Sequence, residues 1–157
     1  MSIEVNNESG VEVADESLVR VGRHVLERLY VHPESDVSII LVDVDAMEKL
    51  HIEWMDEPGP TDVLSFPMDE LRPGTAARPT ASGILGDIVL CPEVARTQAA
   101  NAGHGMAEEL LLLTVHGMLH LLGFDHAEPE EEKEMFALQR QLLADFLGRE
   151  APRETTQ

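Results

Sequence analysis

The eleven residues His116-Gly117-Met118-Leu119-His120-Leu121-Leu122-Gly123-Phe124-Asp125-His126 constrain this chain more than any other stretch. They hold three of its seven histidines. The preceding residues, 108–115, contain no Gly or Pro and are rich in Leu, which predicts a helix. His116 and His120 are four apart, so a helix stacks them on one face. Gly123 offers a left-handed stop at the C-terminal end. Beyond it the chain can turn back and bring His126 toward the other two rings. Residues 110–115 are apolar nearly all round, so this helix belongs in the core. Burial suits a metal site, because ligands need fixed rotamers.

Three neutral imidazoles suit zinc, which prefers four tetrahedral ligands. A fourth position left to water marks a catalytic site, and zinc lowers the pKa of such a water to about 7. The expected cofactor is therefore one Zn2+ per chain, with another divalent ion as the alternative. The spacing is also that of zinc proteases of the HExxHxxGxxH type. Those carry a general-base Glu directly after the first His, where this chain has Gly117. Glycine moves no proton, and in a helix it costs roughly 1 kcal/mol against Ala. Its presence suggests a close neighbour, a substrate that needs room, or simple tolerance.

The HGMLHLLGFDH string with Glu130-Glu131-Glu132-Lys133-Glu134-Met135 after it resembles the YbeY family. Pro60-Thr61-Asp62-Val63-Leu64-Ser65-Phe66-Pro67 and Leu85-Gly86-Asp87-Ile88-Val89-Leu90 resemble it too, in the family's order. The resemblance runs over nearly the whole chain. It implies a bacterial metal-dependent endoribonuclease acting on single-stranded RNA. The expected setting is 3′-end maturation of small-subunit ribosomal RNA and ribosome quality control. It also implies that His116, His120 and His126 are the zinc ligands. The expected partners are ribosomal RNA, the small ribosomal subunit and a basic ribosomal protein. There is one departure: many members carry an arginine after an aromatic shortly before the Pro-Thr-Asp-Val block, and here Met55 follows Trp54.

Charge sets a condition on that reading. The formal net charge is −19, from 11 basic and 30 acidic residues. RNA-binding proteins usually present a basic face. Weak, salt-sensitive RNA binding, or recruitment by a basic protein, is the expected consequence. The length of 157 residues fits one domain with a real core, and 43% apolar content is too high for disorder. No apolar run is long enough to cross a bilayer, and the acidic, polar N-terminus does not resemble a signal peptide. The lone Cys91 rules out a disulfide framework within the chain and suits the cytoplasm; it reads as a small buried residue.

The chain reads in order as follows. Residues 3–6 suggest a short strand. Asp15 or Ser17 caps a helix to about Tyr30, with Leu18, Val21, Val25, Leu26 and Leu29 inward. Arg20, Arg23 and Arg28 fall off that stripe as a solvated face, within reach of RNA. His24, His32 and His104 lack ligand partners; the first two read as surface residues and the third as a loop residue. Residues 36–42 read as a buried strand. Asp45 caps a helix to about Trp54, with Met47, Leu50 and Trp54 inward. Residues 62–66 form a strand stopped by Pro67. Thr61 and Ser65 are candidate phosphate ligands, although turn and strand hydrogen bonds are their simpler role. Residues 68–83, with Pro73, Gly74, Pro79 and Gly83, read as a flexible loop. Residues 85–90 form a central strand with Asp87 in its middle, either exposed or holding a ligating histidine. Pro92 starts a helix to about Ala102. Residues 129–147 form the last helix, with Met135, Leu138, Leu142 and Phe146 inward and its early glutamates solvated.

This order predicts a single α+β domain over residues 1–148: a small mixed sheet packed with about five helices, the metal-site helix buried at its centre. Residues 149–157 read as a mobile tail. Asp87 and Asp125 are the candidate catalytic carboxylates. Two other functions fit less of the sequence. One is hydrolysis of an amide or ester, against which Gly117 counts. The other is a non-enzymatic assembly factor with a structural zinc, which a closed fourth ligand would mark.

Overall fold

A computed structural model describes residues 2–152. Its elements are β1 (Ser2–Asn7), α1 (Asp15–Arg28), β2 (Asp36–Leu41), α2 (Val44–Met55), β3 (Val63–Pro67), β4 (Ile84–Leu90), α3 (Pro92–Ala102), α4 (Met106–Leu121) and α5 (Pro129–Leu147). The strands form one sheet in the order β1-β2-β4-β3. β1 pairs with β2 and β2 with β4 in parallel, whereas β3 runs antiparallel to β4. The expected mixed α+β domain is what the chain forms, with β4 inside the sheet as expected.

Strand alternation assigns the two sheet faces. Val37, Ile39 and Leu41 of β2 and Ile88 and Leu90 of β4 face the larger core, which α1, α4 and α5 close. Leu64 and Val89 point the other way, into a smaller cluster with Met47 of α2 and Cys91. Helix α4 lies in the larger core: Leu110, Leu112, Val115, Met118, Leu119 and Leu121 are all essentially inaccessible. This is the buried central helix that its unbroken apolar circumference demands.

Some local expectations need correction. α1 starts at Asp15 after Ala14 and has no side-chain cap. Asp43, not Asp45, caps α2, its Oδ1 accepting from the Ala46 amide at 2.8 Å. Trp54 is 60% exposed rather than inward: the buried residue of α2 is Met47, and Trp54 rests edge-on against Phe66. His24 is half-buried, its ring 5.6 Å from that of Phe146, because α5 crosses α1 there. His104 does sit in the α3–α4 loop, but its Nε2 lies 2.5 Å from Oε1 of Glu109, which is fully buried. That glutamate joins the core through its histidine partner instead of merely favouring the helix dipole. Pro67 ends β3 as its last residue.

Residues 68–83 contain no helix or strand. Their backbone is tied at several points: Met68 to Leu85, Gly74 to Leu29 and Thr80 to Tyr30. At the C-terminal end Arg149 donates to Glu108 at 2.6 Å, and Ala151 packs on the core. The rest of the expected tail, 153–157, lies outside the described residues.

Candidate metal centre

Helix α4 carries His116 and His120 on the face turned toward β3 and α5. Leu122 ends it, and Gly123 follows at φ +94°, a conformation that favours glycine. The Gly123 amide donates to the His120 carbonyl and the Phe124 amide to that of Leu119. This pair of bonds is a Schellman stop. It reverses the chain within three residues. His126 then returns toward the two helical histidines, its amide held by Oδ1 of Asp125 at 2.7 Å.

The three rings converge. Their centroids are 4.6 Å apart for His116 and His120, 5.2 Å for His120 and His126, and 5.7 Å for His116 and His126. One nitrogen from each lies within 4.8 Å of the other two. Nε2 of His116 and Nε2 of His120 are 3.1 Å apart. Tetrahedral ligands about 2.1 Å from one zinc ion stand roughly 3.4 Å from each other, so the spacing fits a single ion. The protonation states fit as well. Burial, and then the neighbouring His120, push His116 down to about 4. Burial also lowers His120, and His126 adds to the effect. Both rings are thus neutral near pH 7, the form that binds metal.

Two residues of α5 complete the shell. Gln139 is buried, and its Oε1 accepts from Nδ1 of His116 at 2.8 Å. That bond puts the His116 proton on Nδ1 and leaves Nε2 free. Phe136 lies nearly parallel to His126, at 6.1 Å and 23°. The sequence singled out neither residue. The available signal was a polar residue, Gln139, on the apolar stripe between Met135 and Leu142.

The triad opens into a cleft of about 720 Å³ between α4, α5 and the β3 edge. Met55, Thr61, Asp62, Ser65, Leu113 and Asp125 are among its walls. Thr61 is buried and donates to Asp62 at 3.3 Å. Ser65 reaches the Gly117 carbonyl only at 3.5 Å. Burial raises Asp62 to about 6, although the Val63 amide donates to it at 2.7 Å. Asp125 is exposed beside His126, close enough to His120 for its charge to act there. Asp87 is not in the cleft. It shares the sheet face of Val89, opposite Ile88 and α4. His51 is also elsewhere, bonded to the Gly59 carbonyl and near Glu57.

Gly117 has its close neighbour. A Cβ there would lie 2.9 Å from Cγ2 of Ile88, so the glycine lets α4 settle onto β4. Of the three explanations for this residue, helix–sheet contact is the one the packing supports.

Residues 3–147 match the family model described as endoribonuclease YbeY. The chain belongs to the YbeY family. Its relatives include the proteins called endoribonuclease YbeY from Renibacterium salmoninarum, 67% identical over 99% of both chains, and Pseudarthrobacter chlorophenolicus, 67% identical over the full length of both. The solution structure of TM1509 from Thermotoga maritima shares the fold, with a TM-score of 0.62 and 26% identity over 92% of this chain and 89% of that one. Family membership makes the chain a hydrolytic endoribonuclease, and the three convergent histidines are positioned to bind a metal ion. Among the described residues no helix is long and apolar enough to cross a membrane.

Proposed function

We propose that this chain is a zinc-dependent endoribonuclease specific for single-stranded RNA, with His116, His120 and His126 holding one ion. The enzyme class follows from the family, whose members are named as endoribonucleases. The observation that supports the metal reading is the meeting of three imidazole nitrogens within 4.8 Å at the wall of an open cleft. A divalent ion in this site would act as a Lewis acid on a phosphoryl oxygen and raise the acidity of water beside it.

The chain's own residues do the rest. Gln139 fixes the His116 tautomer, and Phe136 and Leu113 give the cleft apolar lining beside the histidines. Asp125 is the better-placed of the two candidate catalytic carboxylates, since it lines the cleft and Asp87 does not. Ser65 makes only a long bond and keeps a hydroxyl able to turn toward a phosphate. Thr61 is the second candidate there. Met55 offers no charge where many members of the family carry arginine, so phosphate recognition falls more heavily on the metal centre.

In the cell we place this activity in 3′-end maturation of small-subunit ribosomal RNA and in ribosome quality control, in the cytoplasm. The family and the lone Cys91 support that setting. A net charge of −19 favours recruitment by a basic ribosomal protein over unaided binding to RNA. Three donors beside an open cleft favour catalysis over a structural zinc, and Gly117 disfavours peptide hydrolysis.

The test is a paired cleavage assay on single-stranded RNA. Zinc-loaded parent should cut, whereas chelated parent and His120→Ala should fall to background. Equal cleavage by His120→Ala would refute the mechanism. Turnover of peptides with RNA left intact would point to the amide hydrolase instead.

A further inference from the structure

We infer that Gln139 is the positioning residue of this centre: its side-chain carbonyl locks His116 for metal binding, and its lack of charge adds no further anion beside the ion. The inference rests on the three-histidine metal reading and goes one step beyond it.

The first half follows from hydrogen-bond accounting. His116 is half-buried, and its Nε2 is the nitrogen that meets Nε2 of His120. A neutral ring that gives Nε2 to a metal must carry its proton on Nδ1, and a buried N–H needs an acceptor. The atom 2.8 Å from Nδ1 is Oε1 of Gln139, itself only 1% exposed. The amide has one acceptor and one donor group, so metal at Nε2 also dictates which way the amide faces. Gln139 sits between Met135 and Leu142 on the buried stripe of α5, where an apolar residue would pack as well. A polar side chain at that position, aimed at a ligand, orients the ligand.

The second half concerns charge. The partner of a metal-bound histidine is commonly a carboxylate, a backbone carbonyl or water. A carboxylate would add a negative charge next to the ion. Asp62 and Asp125 already line this cleft, and the whole chain carries −19. With an amide behind His116, the three neutral ligands and this partner would add no negative charge to that of the carboxylates already in the cleft. That matters here because the substrate is a polyanion and Met55, in the cleft wall, supplies no cation.

The experiment measures zinc affinity by chelator competition, and RNA cleavage at saturating zinc, for four proteins: parent, His116→Ala, Gln139→Met and Gln139→Glu. Circular dichroism first confirms that each is folded. Gln139→Met keeps the volume and loses the acceptor. Its zinc affinity should fall about 10- to 100-fold. Gln139→Glu keeps an acceptor and adds a charge. It should bind zinc at least as tightly as the parent, yet show a several-fold higher KM for RNA. Unchanged zinc affinity in folded Gln139→Met would overturn the positioning role. A parental KM in Gln139→Glu would overturn the charge argument. If the parent and His116→Ala bind zinc equally weakly, the three-histidine reading itself fails, and that result is distinct from either of the others.

Discussion

Asp62 shows how one buried group ties stability to pH. It is 7% exposed, and desolvation lifts its pKa from 3.8 to about 6. The folded chain therefore holds this proton more tightly than the unfolded chain does. The resulting stability is complete below 3.8 and lost as pH rises through about 6. The full difference is worth at most about 3 kcal/mol. Asn keeps the oxygen that accepts from Val63 and carries no charge. Asp62→Asn should therefore stabilise the metal-free protein, and its advantage over the parent should grow by about 1–2 kcal/mol between pH 5 and pH 7.5. Denaturant melts at the two pH values measure this directly. An advantage independent of pH would mean that Asp62 is not buried as a proton holder. The histidines of the centre cancel in the comparison, since both proteins share them.

At the level of elements, α4 depends on two glycines for different reasons. Gly117 allows close approach: a methyl there would press on Ile88 of β4 from 2.9 Å. The helix-propensity gain of roughly 1 kcal/mol from alanine is smaller than the usual overpacking cost of about 1–3 kcal/mol. Gly117→Ala should thus destabilise the protein. Ile88→Ala should also destabilise it, by leaving a cavity. Together they should cost less than the two separately, because the new methyl fills part of the space. Additive costs in a double-mutant cycle would show that the two residues do not press on one another. Gly123 is needed for its backbone. Its φ of +94° closes α4 and starts the return to His126, and the Arg72 guanidinium lies where a side chain would go.

Across the whole molecule, the histidines are placed by a core that does not include them. Leu110, Leu112, Val115, Met118 and Leu119 are buried in a core built from apolar side chains of the sheet and the other helices. Metal removal should therefore leave the far-ultraviolet circular dichroism nearly unchanged. Zinc at 100 times its Kd should add about 2.7 kcal/mol, or roughly 5–10 °C in Tm for a chain of this size. A chelated protein that had lost its helices would place it with small domains that need the ion in order to fold. The acidic surface is a property of this same scale. With a net charge of −19 over the chain, an uncharged residue behind His116 has consequences for a polyanionic substrate.

The sequence by itself determined the site's ligands as candidates and the elements that carry them. A four-residue histidine spacing, an all-apolar helix and a glycine stop are local patterns, and local geometry is enough to act on them. The mixed α+β class was legible from the order of strands and helices for the same reason. Tertiary structure alone decided what stands across from each ligand. Gln139 lies 23 positions from His116, and only the packing of α5 on α4 brings amide and ring together. Asp87 turned away from the cleft because strand alternation gave that face to Ile88, and Trp54 stayed exposed against Phe66 of the edge strand β3. Periodicity indicates that a side chain has a buried face or an exposed one, and the partner it meets depends on a second element the pattern does not contain.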